Sequence, residues 1–223
     1  MCGRYGFGNP ARLGTLPLGV ALPDLEPRFN VAPSQAVPIV LQDAAGRRAI
    51  MARWGLVPFW AGDPGIGNKL ANARGDTVAA KPSFRAAFRA RRALIPADRF
   101  YEWQVRAGQT VKQPWCIQLA DESPFCFGGL WEAWVPKGQP DAEPLVSCCL
   151  ITTEPNDTMA PIHDRMPLIL SSGTYDVWLD PKTPGAAAQA LIRPYDGAMR
   201  AYPVSTYVNA PRNEGAACSA PLA

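Results

Sequence analysis

Leu145-Val-Ser-Cys-Cys-Leu-Ile-Thr-Thr153 is a nine-residue run of mostly apolar and β-branched residues, without glycine, proline or charge. A short run of this kind, bounded by proline and turn residues, is typical of a buried strand. Adjacent side chains of a strand point to opposite faces, so Cys148 and Cys149 are interpreted as packing residues that do not act together. The run predicts one strand of a sheet around which the rest of the chain is organised.

Four further runs of the same type predict that this strand belongs to a largely antiparallel sheet. The 24 prolines and 19 glycines are spread along the chain and favour short strands and many loops over long helices. The four runs are Ala36 to Gln42, Arg48 to Trp54, Trp115 to Leu119 and Phe125 to Trp131.

Helical patterns are few and short. Ser83 to Arg91 predicts one helix, with Ser83 as N-cap and with Phe84, Ala87 and Phe88 on one face. Gly185 to Ile192 predicts a second helix. The capping residues in the segment 153–159 predict the start of a short helix after a strand.

The length of 223 residues and the 48% hydrophobic content predict one compact domain, residues 1–213, with a mobile tail at 214–223. No apolar run reaches the length of a signal peptide or a membrane span, which predicts a soluble, cytoplasmic protein without a membrane partner. We also expect a monomer. The six cysteines contain no C-x-x-C pair and the chain has one histidine. We therefore expect no disulfides, no metal site and no cofactor.

The charge is distributed unevenly. Residues 1–112 carry 16 Lys and Arg against 7 Asp and Glu, whereas the remainder carries 6 against 12. This asymmetry predicts a polyanionic partner for one face, and a solvated helix face is the alternative. The densest basic run contains Lys81, Arg85, Arg89, Arg91, Arg92, Arg99 and Arg106.

Cys2 becomes a 1,2-aminothiol if Met1 is removed, as happens when the second residue is small. The amine and the thiol then both have nucleophilic forms near neutral pH. The amine can attack an aldehyde to give a Schiff base, and the thiol can close a thiazolidine ring. The alternative is an ordinary small residue at a frayed terminus.

His163 and Glu102 are candidates for proton transfer. His163 lies in a proline-bounded loop, Met159 to Pro167, and its ordinary pKa suits proton transfer at neutral pH. Glu102 lies between aromatic residues in what reads as a strand, where burial would raise its pKa. A satisfied core histidine and an exposed, arginine-paired glutamate are the alternatives.

Two pairs of residues are candidates for holding nucleic acid. Asn72 and Arg74 lie two positions apart in an extended run, so they share a face and can hold sugar and phosphate. Trp54 and Trp60 flank a short loop beside the basic run and can stack unpaired bases, although at least one is expected in the core.

Six motifs together resemble the SOS response-associated peptidase (SRAP) family. They occur in the family's order and span nearly the whole chain. The motifs are Met1-Cys-Gly-Arg-Tyr, Arg28-Phe-Asn-Val-Ala-Pro-Ser, Arg53-Trp-Gly-Leu-Val-Pro-Phe-Trp, Asn72-Ala-Arg, Arg99-Phe-Tyr-Glu-Trp and Ile162-His-Asp-Arg-Met-Pro.

The resemblance implies a single α+β domain with a curved, barrel-like, mainly antiparallel sheet flanked by short helices. It also implies covalent capture of abasic sites in single-stranded DNA or at junctions with duplex, as part of the DNA damage (SOS) response. Cys2 would be the nucleophile and Asn72 would hold the cysteine or the opened sugar. Glu102 would act as acid or base and His163 would move the ring-opening proton. The implied DNA contacts are Arg4, Asn30, Pro33, Ser34, Trp54, Trp60, Arg74, Lys81, Arg85 and Arg165.

Two alternatives for the function stay open from the sequence. Cys2, His163 and Glu102 can instead form a thiol peptidase that removes Met1 or cleaves another protein. A noncovalent module for single-stranded DNA is the second alternative. The chain also departs from its relatives in two places. The segment after Tyr5 is rich in glycine and proline where relatives begin a helix, and Asp164 can orient His163 or raise its pKa.

Overall fold

The computed structural model describes residues 2–222, and the expected removal of Met1 concerns a residue outside them. This part of the chain forms short strands and four short α-helices. The strands are β1 (Arg4–Phe7), β2 (Arg28–Val31), β3 (Ala36–Asp43), β4 (Gly46–Trp54), β5 (Asn72–Arg74), β6 (Arg92–Ala97), β7 (Arg99–Gln104), β8 (Gln113–Leu119), β9 (Phe125–Trp134), β10 (Leu145–Thr153), β11 (Met166–Pro167), β12 (Ile169–Leu170) and β13 (Met199–Pro203). The helices are α1 (Pro10–Leu13), α2 (Arg85–Ala90), α3 (Tyr175–Leu179) and α4 (Gly185–Ala190).

Five strands close into a barrel. Strand β10 pairs in parallel with β4 and antiparallel with β9, and the ring continues antiparallel from β4 through β3 and β6 to β9. A second sheet has the antiparallel order β13-β8-β7-β1-β2. The expected α+β domain with a barrel-like, mainly antiparallel sheet is confirmed.

Strand β10 has the bounds predicted from its sequence. Both of its faces are covered, which explains why the run is mostly apolar. Cys148 and Cys149 are fully buried and belong to different hydrophobic clusters, which confirms that they pack on opposite sides of the strand. Gly129 on β9 lets the barrel close tightly. A Cβ there would lie 2.5 Å from the carbonyl oxygen of Cys149 and 2.2 Å from the side chain of Ile95.

Helix α2 starts later than predicted. Residues 81–85 already form a turn, in which the N–H groups of Phe84 and Arg85 both donate to the carbonyl of Lys81 at 2.9 Å. Phe84 is the N-cap and makes no side-chain cap bond, so the prediction that Ser83 caps the helix is wrong. The predicted apolar face is confirmed, since Ala87 and Phe88 are buried.

Two loops take capped turns. After β10, Asn156 accepts a hydrogen bond from the N–H of Met159 at 3.1 Å, but the segment forms turns rather than the predicted helix. After β1, the glycine- and proline-rich segment does form a helical turn, α1. It is capped by Asn9, which accepts from the N–H of Arg12.

The segment 214–222 packs against the second sheet, in contrast to the expected mobile tail. Glu214 accepts hydrogen bonds from Arg28 Nε and from the N–H of Phe29, both at 2.8 Å. Cys218 is buried, and Pro221 forms a bridge with Val204. Residues 216–218 of this segment lie against β2.

No helix within residues 2–222 combines the length and apolar composition needed to cross a bilayer.

Candidate functional site

Strands β1 and β7 bring Cys2 and Glu102 together. Arg4 pairs with Tyr101, so the antiparallel register places Glu102 beside the residues that precede β1. The side chain of Cys2 is fully buried, and its Sγ lies 3.5 Å from the carbonyl oxygen of Arg4. The nucleophile predicted from the sequence therefore lies in a protected position next to a buried carboxylate.

Asn72 reaches the same place from the barrel. It lies on β5, which pairs in parallel with β10. Its Nδ2 donates to the carbonyl oxygen of Cys2 at 2.8 Å. Its Oδ1 is buried and accepts no hydrogen bond from the described residues, so it can accept one from a ligand hydroxyl or amine.

His163 is held by a turn on the other side of Glu102. Its backbone N–H donates to the carbonyl of Met159 at 2.9 Å. The ring nitrogen Nε2 lies 4.0 Å from Glu102 Oε2. Gln104 donates from Nε2 to the carbonyl oxygen of Pro161 at 2.8 Å and so ties β7 to this turn. Side chains two positions apart on a strand share a face, which explains why Glu102 and Gln104 both meet the His163 turn.

Burial sets the electrostatics of these groups. It raises the pKa of Glu102 to about 7, so the carboxyl can gain or lose a proton near neutral pH. It lowers the pKa of His163, which is therefore mainly neutral there. Burial, followed by the charge of Glu102, raises the pKa of the Cys2 thiol far above its usual value. A carboxyl with a pKa near 7 beside a neutral imidazole is suited to passing protons in both directions.

Nδ1 of His163 has two neighbours, one a hydrogen-bond donor and the other an acceptor. The N–H of Arg165 donates to it at 3.0 Å, whereas Asp164 Oδ1 lies 2.8 Å away and requires a donor. The neutral ring can accept from Arg165, and the protonated ring can donate to Asp164. Asp164 is 89% exposed, and solvent screening explains why burial outweighs it in the pKa of His163.

Two residues near His163 were not singled out from the sequence. Gln104 had a usable signal, because it lies two positions after Glu102 and shares its face. Lys112, at the end of the loop between β7 and β8, lowers the pKa of His163 through its charge. No local pattern in the sequence marks Lys112, because its proximity depends on how the hairpin folds back.

The residues expected to contact DNA divide by exposure. Trp60 is 46% exposed, but Trp54 is 1% exposed and donates from Nε1 to the carbonyl of Ala71 at 2.9 Å. Trp54 thus presents no face on which a base can stack, in agreement with the expectation that one of the two tryptophans lies in the core. Ser34, Arg74, Lys81 and Arg85 are exposed, and Arg4, Pro33 and Arg165 are partly exposed.

Asn30 also differs from the expectation of a DNA contact. Its side chain is fully buried, and its amide donates to the carbonyls of Val208, Ala210 and Asn213. Its Oδ1 accepts from Arg4 Nη1 at 2.9 Å. Asn30 therefore holds the segment after β13 in place. Its buried amide donates to the protein's own backbone and is not available to bind DNA.

No three His, Cys, Asp or Glu side chains in the described part of the chain are grouped as metal ligands.

Comparisons with known proteins agree with this architecture. The SOS response associated peptidase (SRAP) family model matches residues 1–211. The chain is 45% identical to the "Abasic site processing protein YoqW" of Bacillus subtilis, with 96% of each chain covered. It is 34% identical to the "Abasic site processing protein HMCES" of Gallus gallus, with 88% of this chain and 66% of that protein covered.

Solved structures show the same fold. A crystal structure of a protein from Bacteroides thetaiotaomicron matches with a TM-score of 0.85 and 24% identity over 100% of both chains. A second, from Bordetella bronchiseptica, matches with a TM-score of 0.75 and 24% identity, over 92% of this chain and 100% of the other.

Proposed function

Since the chain belongs to the SOS response associated peptidase (SRAP) family, we propose that it processes abasic sites in DNA by capturing them covalently on Cys2. The observation that carries this proposal is the convergence of Cys2, Glu102 and His163 from three separate segments of the chain. The names of relatives with 45% and 34% identity supply the substrate class.

The chemistry begins with an aldehyde and ends with a ring. The abasic sugar opens to expose the C1′ aldehyde, which the free α-amine of Cys2 attacks. Loss of one water gives a Schiff base. The Cys2 thiol then adds to the C=N carbon, its proton passes to the nitrogen, and a thiazolidine results. The sum is protein plus abasic strand minus one water.

The neighbouring residues handle the protons of these steps. A carboxyl with a pKa of about 7 can take a proton from the amine and return it to the departing hydroxyl, which is the role proposed for Glu102. His163, 4.0 Å from Glu102, would move the proton that opens the sugar ring. Asn72 holds the Cys2 carbonyl and offers its unused Oδ1 to a sugar hydroxyl.

The substrate proposed is single-stranded DNA, including junctions with duplex. Trp60 offers an exposed face for an unpaired base, and the basic half of the chain supplies phosphate contacts through Lys81, Arg85 and Arg165, with Arg74 as a further candidate contact. Capture would protect a fragile strand during the DNA damage (SOS) response. The protein would act as a cytoplasmic monomer at the DNA.

A uracil-containing single strand, incubated with and without uracil glycosylase and resolved on a denaturing gel, tests the proposal. We expect a denaturant-resistant adduct only after glycosylase treatment, and none with Cys2→Ala. Cys218→Ala removes another buried thiol and should leave the adduct intact. An equal adduct with Cys2→Ala would overturn the mechanism. Binding that disappears in denaturant would favour the noncovalent alternative, and release of Met1 without any adduct would favour the peptidase.

A further inference from the structure

Asp76 lies in the turn after β5, beside two of the proposed DNA-binding arginines. Arg74 Nε donates to Asp76 Oδ1 at 3.1 Å, and Nη2 donates to Oδ2 at 2.6 Å. The carbonyl of Thr152 accepts from the N–H of Gly75 at 2.8 Å and from Arg165 Nη2 at 2.6 Å. Asp76 and Arg165 line the same cleft of about 320 Å³.

The two Arg74 nitrogens that donate to Asp76, Nε and Nη2, form the edge of the guanidinium that is best suited to bind a phosphate. The Nε and Nη2 edge of a guanidinium makes two parallel hydrogen bonds to a carboxylate or a phosphate. A carboxylate on this edge therefore competes with a DNA phosphate for Arg74. The hydrogen bonds from Arg74 lower the pKa of Asp76, and the positive charge of Arg165 lowers it further.

The ion pair between Arg74 and Asp76 is not explained by a contribution to the stability of the fold. The side chains of Arg74 and Asp76 are 57% and 48% exposed, and exposed ion pairs contribute little to the free energy of folding. What the pair does change is the charge that the surface presents beside Cys2 and Asn72, because Arg74 follows Asn72 on the same strand.

We propose that Asp76 is a specificity-determining residue, which covers the phosphate-binding edge of Arg74 and so weakens binding to undamaged DNA. The inference rests on the proposed function. Undamaged DNA is held by noncovalent contacts alone, so losing a phosphate contact lowers its affinity directly. An abasic strand is held in addition by the bond to Cys2. Asp76 thus widens the difference between damaged and undamaged strands.

Binding of a lesion-free single strand to Cys2→Ala protein, measured across a salt series, tests the inference. Asp76→Asn is expected to tighten binding by about 3- to 10-fold at low salt, and to steepen the slope of log K against log salt by about 0.7, the value for one added phosphate contact. Asp76→Ser is a second neutral variant, and Asp76→Glu should bind as weakly as the parent. Thermal melting checks that each variant is folded.

Asp43→Asn is the matched control. Asp43 also pairs with an arginine, Arg48 at 2.6 Å, but it lies at the β3–β4 hairpin, opposite Gly46, and does not line the cleft that contains Asp76. Its removal should leave binding unchanged. In an Arg74→Gln background, Asp76→Asn should give little further gain, because the edge it covers is absent.

Unchanged or weaker binding by Asp76→Asn would overturn the inference, and weaker binding would make Asp76 an orienting partner of Arg74. A gain that persists fully in Arg74→Gln would also overturn it, since the effect would then be one of net charge. Failure of the proposed function has a different signature, namely that the protein with Cys2 intact forms no denaturant-resistant adduct on an abasic strand.

Discussion

Glu102 and Glu132 are both buried, each with a side chain only 3% exposed, yet their surroundings differ. Glu132 on β9 accepts from Arg91 Nε at 3.1 Å and also from its Nη2, and the N–H of Phe59 faces its carboxylate. Glu102 on β7 faces the imidazole of His163 at 4.0 Å.

Burial therefore has different consequences for the protonation of the two carboxyl groups. Burial raises the pKa of Glu132, but the charge and hydrogen bonds of Arg91 oppose it and stabilise the carboxylate. Burial raises the pKa of Glu102 to about 7, which leaves it able to gain or lose a proton at neutral pH. Buried carboxyl groups with shifted pKa values occur at functional sites and in structural pairs alike, and the partner decides between the two.

The largest effect is expected when Glu102 loses its proton chemistry. Glu102→Gln keeps the size of the side chain but cannot accept a proton, so adduct formation should slow by about 10²- to 10⁴-fold. Single-turnover capture of an abasic single strand measures this rate. Glu132→Gln is the comparison variant, and its folded fraction should capture DNA at close to the parent rate. Equal slowing in both variants would remove the distinction.

The reverse experiment removes the cation from the structural pair. Arg91→Met leaves Glu132 buried without its guanidinium, and breaking a largely buried pair in this way should destabilise the fold by about 3 kcal/mol. Denaturant unfolding measures the change. Arg48→Met, which breaks the exposed pair with Asp43, should have a far smaller effect. A loss of the same small size for Arg91→Met would show that Glu132 does not depend on its partner.

The stability of the protein should also depend on pH through Glu102. Its pKa in the fold, about 7, is above its usual 4.5, so the stabilisation from protonated Glu102 is complete below pH 4.5 and is lost as pH rises through 7. Replacing it by neutral glutamine avoids that loss, which corresponds to about 3 kcal/mol at most. Glu102→Gln should thus gain stability over the parent at pH 8 and not at pH 4. A constant difference across this range would contradict the shifted pKa.

The smallest effect is expected at Gln104, which links the strand of Glu102 to the turn of His163. Gln104→Ala removes the hydrogen bond to the Pro161 carbonyl, so His163 should be placed less well and capture should slow several-fold. DNA affinity should stay unchanged, and the pH at which the rate is half-maximal should shift. A loss of affinity with no change in the pH profile would show a merely structural role.

The contrast between the two glutamates also shows how far sequence can go. Both follow an aromatic residue in a strand, in Tyr101-Glu102-Trp103 and Trp131-Glu132-Ala133, and no local pattern separates them. The partner of Glu132 lies 41 residues away in the chain, so only the fold shows that this carboxyl is neutralised. The family motifs selected Glu102 where periodicity could not.

Other features follow the same division. The bounds of β10 could be predicted because an uninterrupted apolar run between turn residues identifies a strand by itself. One buried tryptophan of Trp54 and Trp60 was expected, but which one is buried depends on Ala71, which is distant in sequence. The burial of Asn30 could not be predicted, because it depends on the segment after β13. The packing of residues 214–222 could not be predicted for a similar reason, since Glu214 binds Arg28, which lies 186 residues away in the chain.

Intact-mass measurement of the adduct, followed by peptide mapping, tests the central claim most directly. The account predicts a mass equal to that of the protein without Met1 plus the abasic strand minus one water, with the DNA attached to the peptide that begins at Cys2. It should survive without a borohydride reduction, as a closed ring does and a Schiff base does not. Attachment at a lysine, a requirement for reduction, or an adduct on protein that retains Met1 would contradict capture by the Cys2 aminothiol.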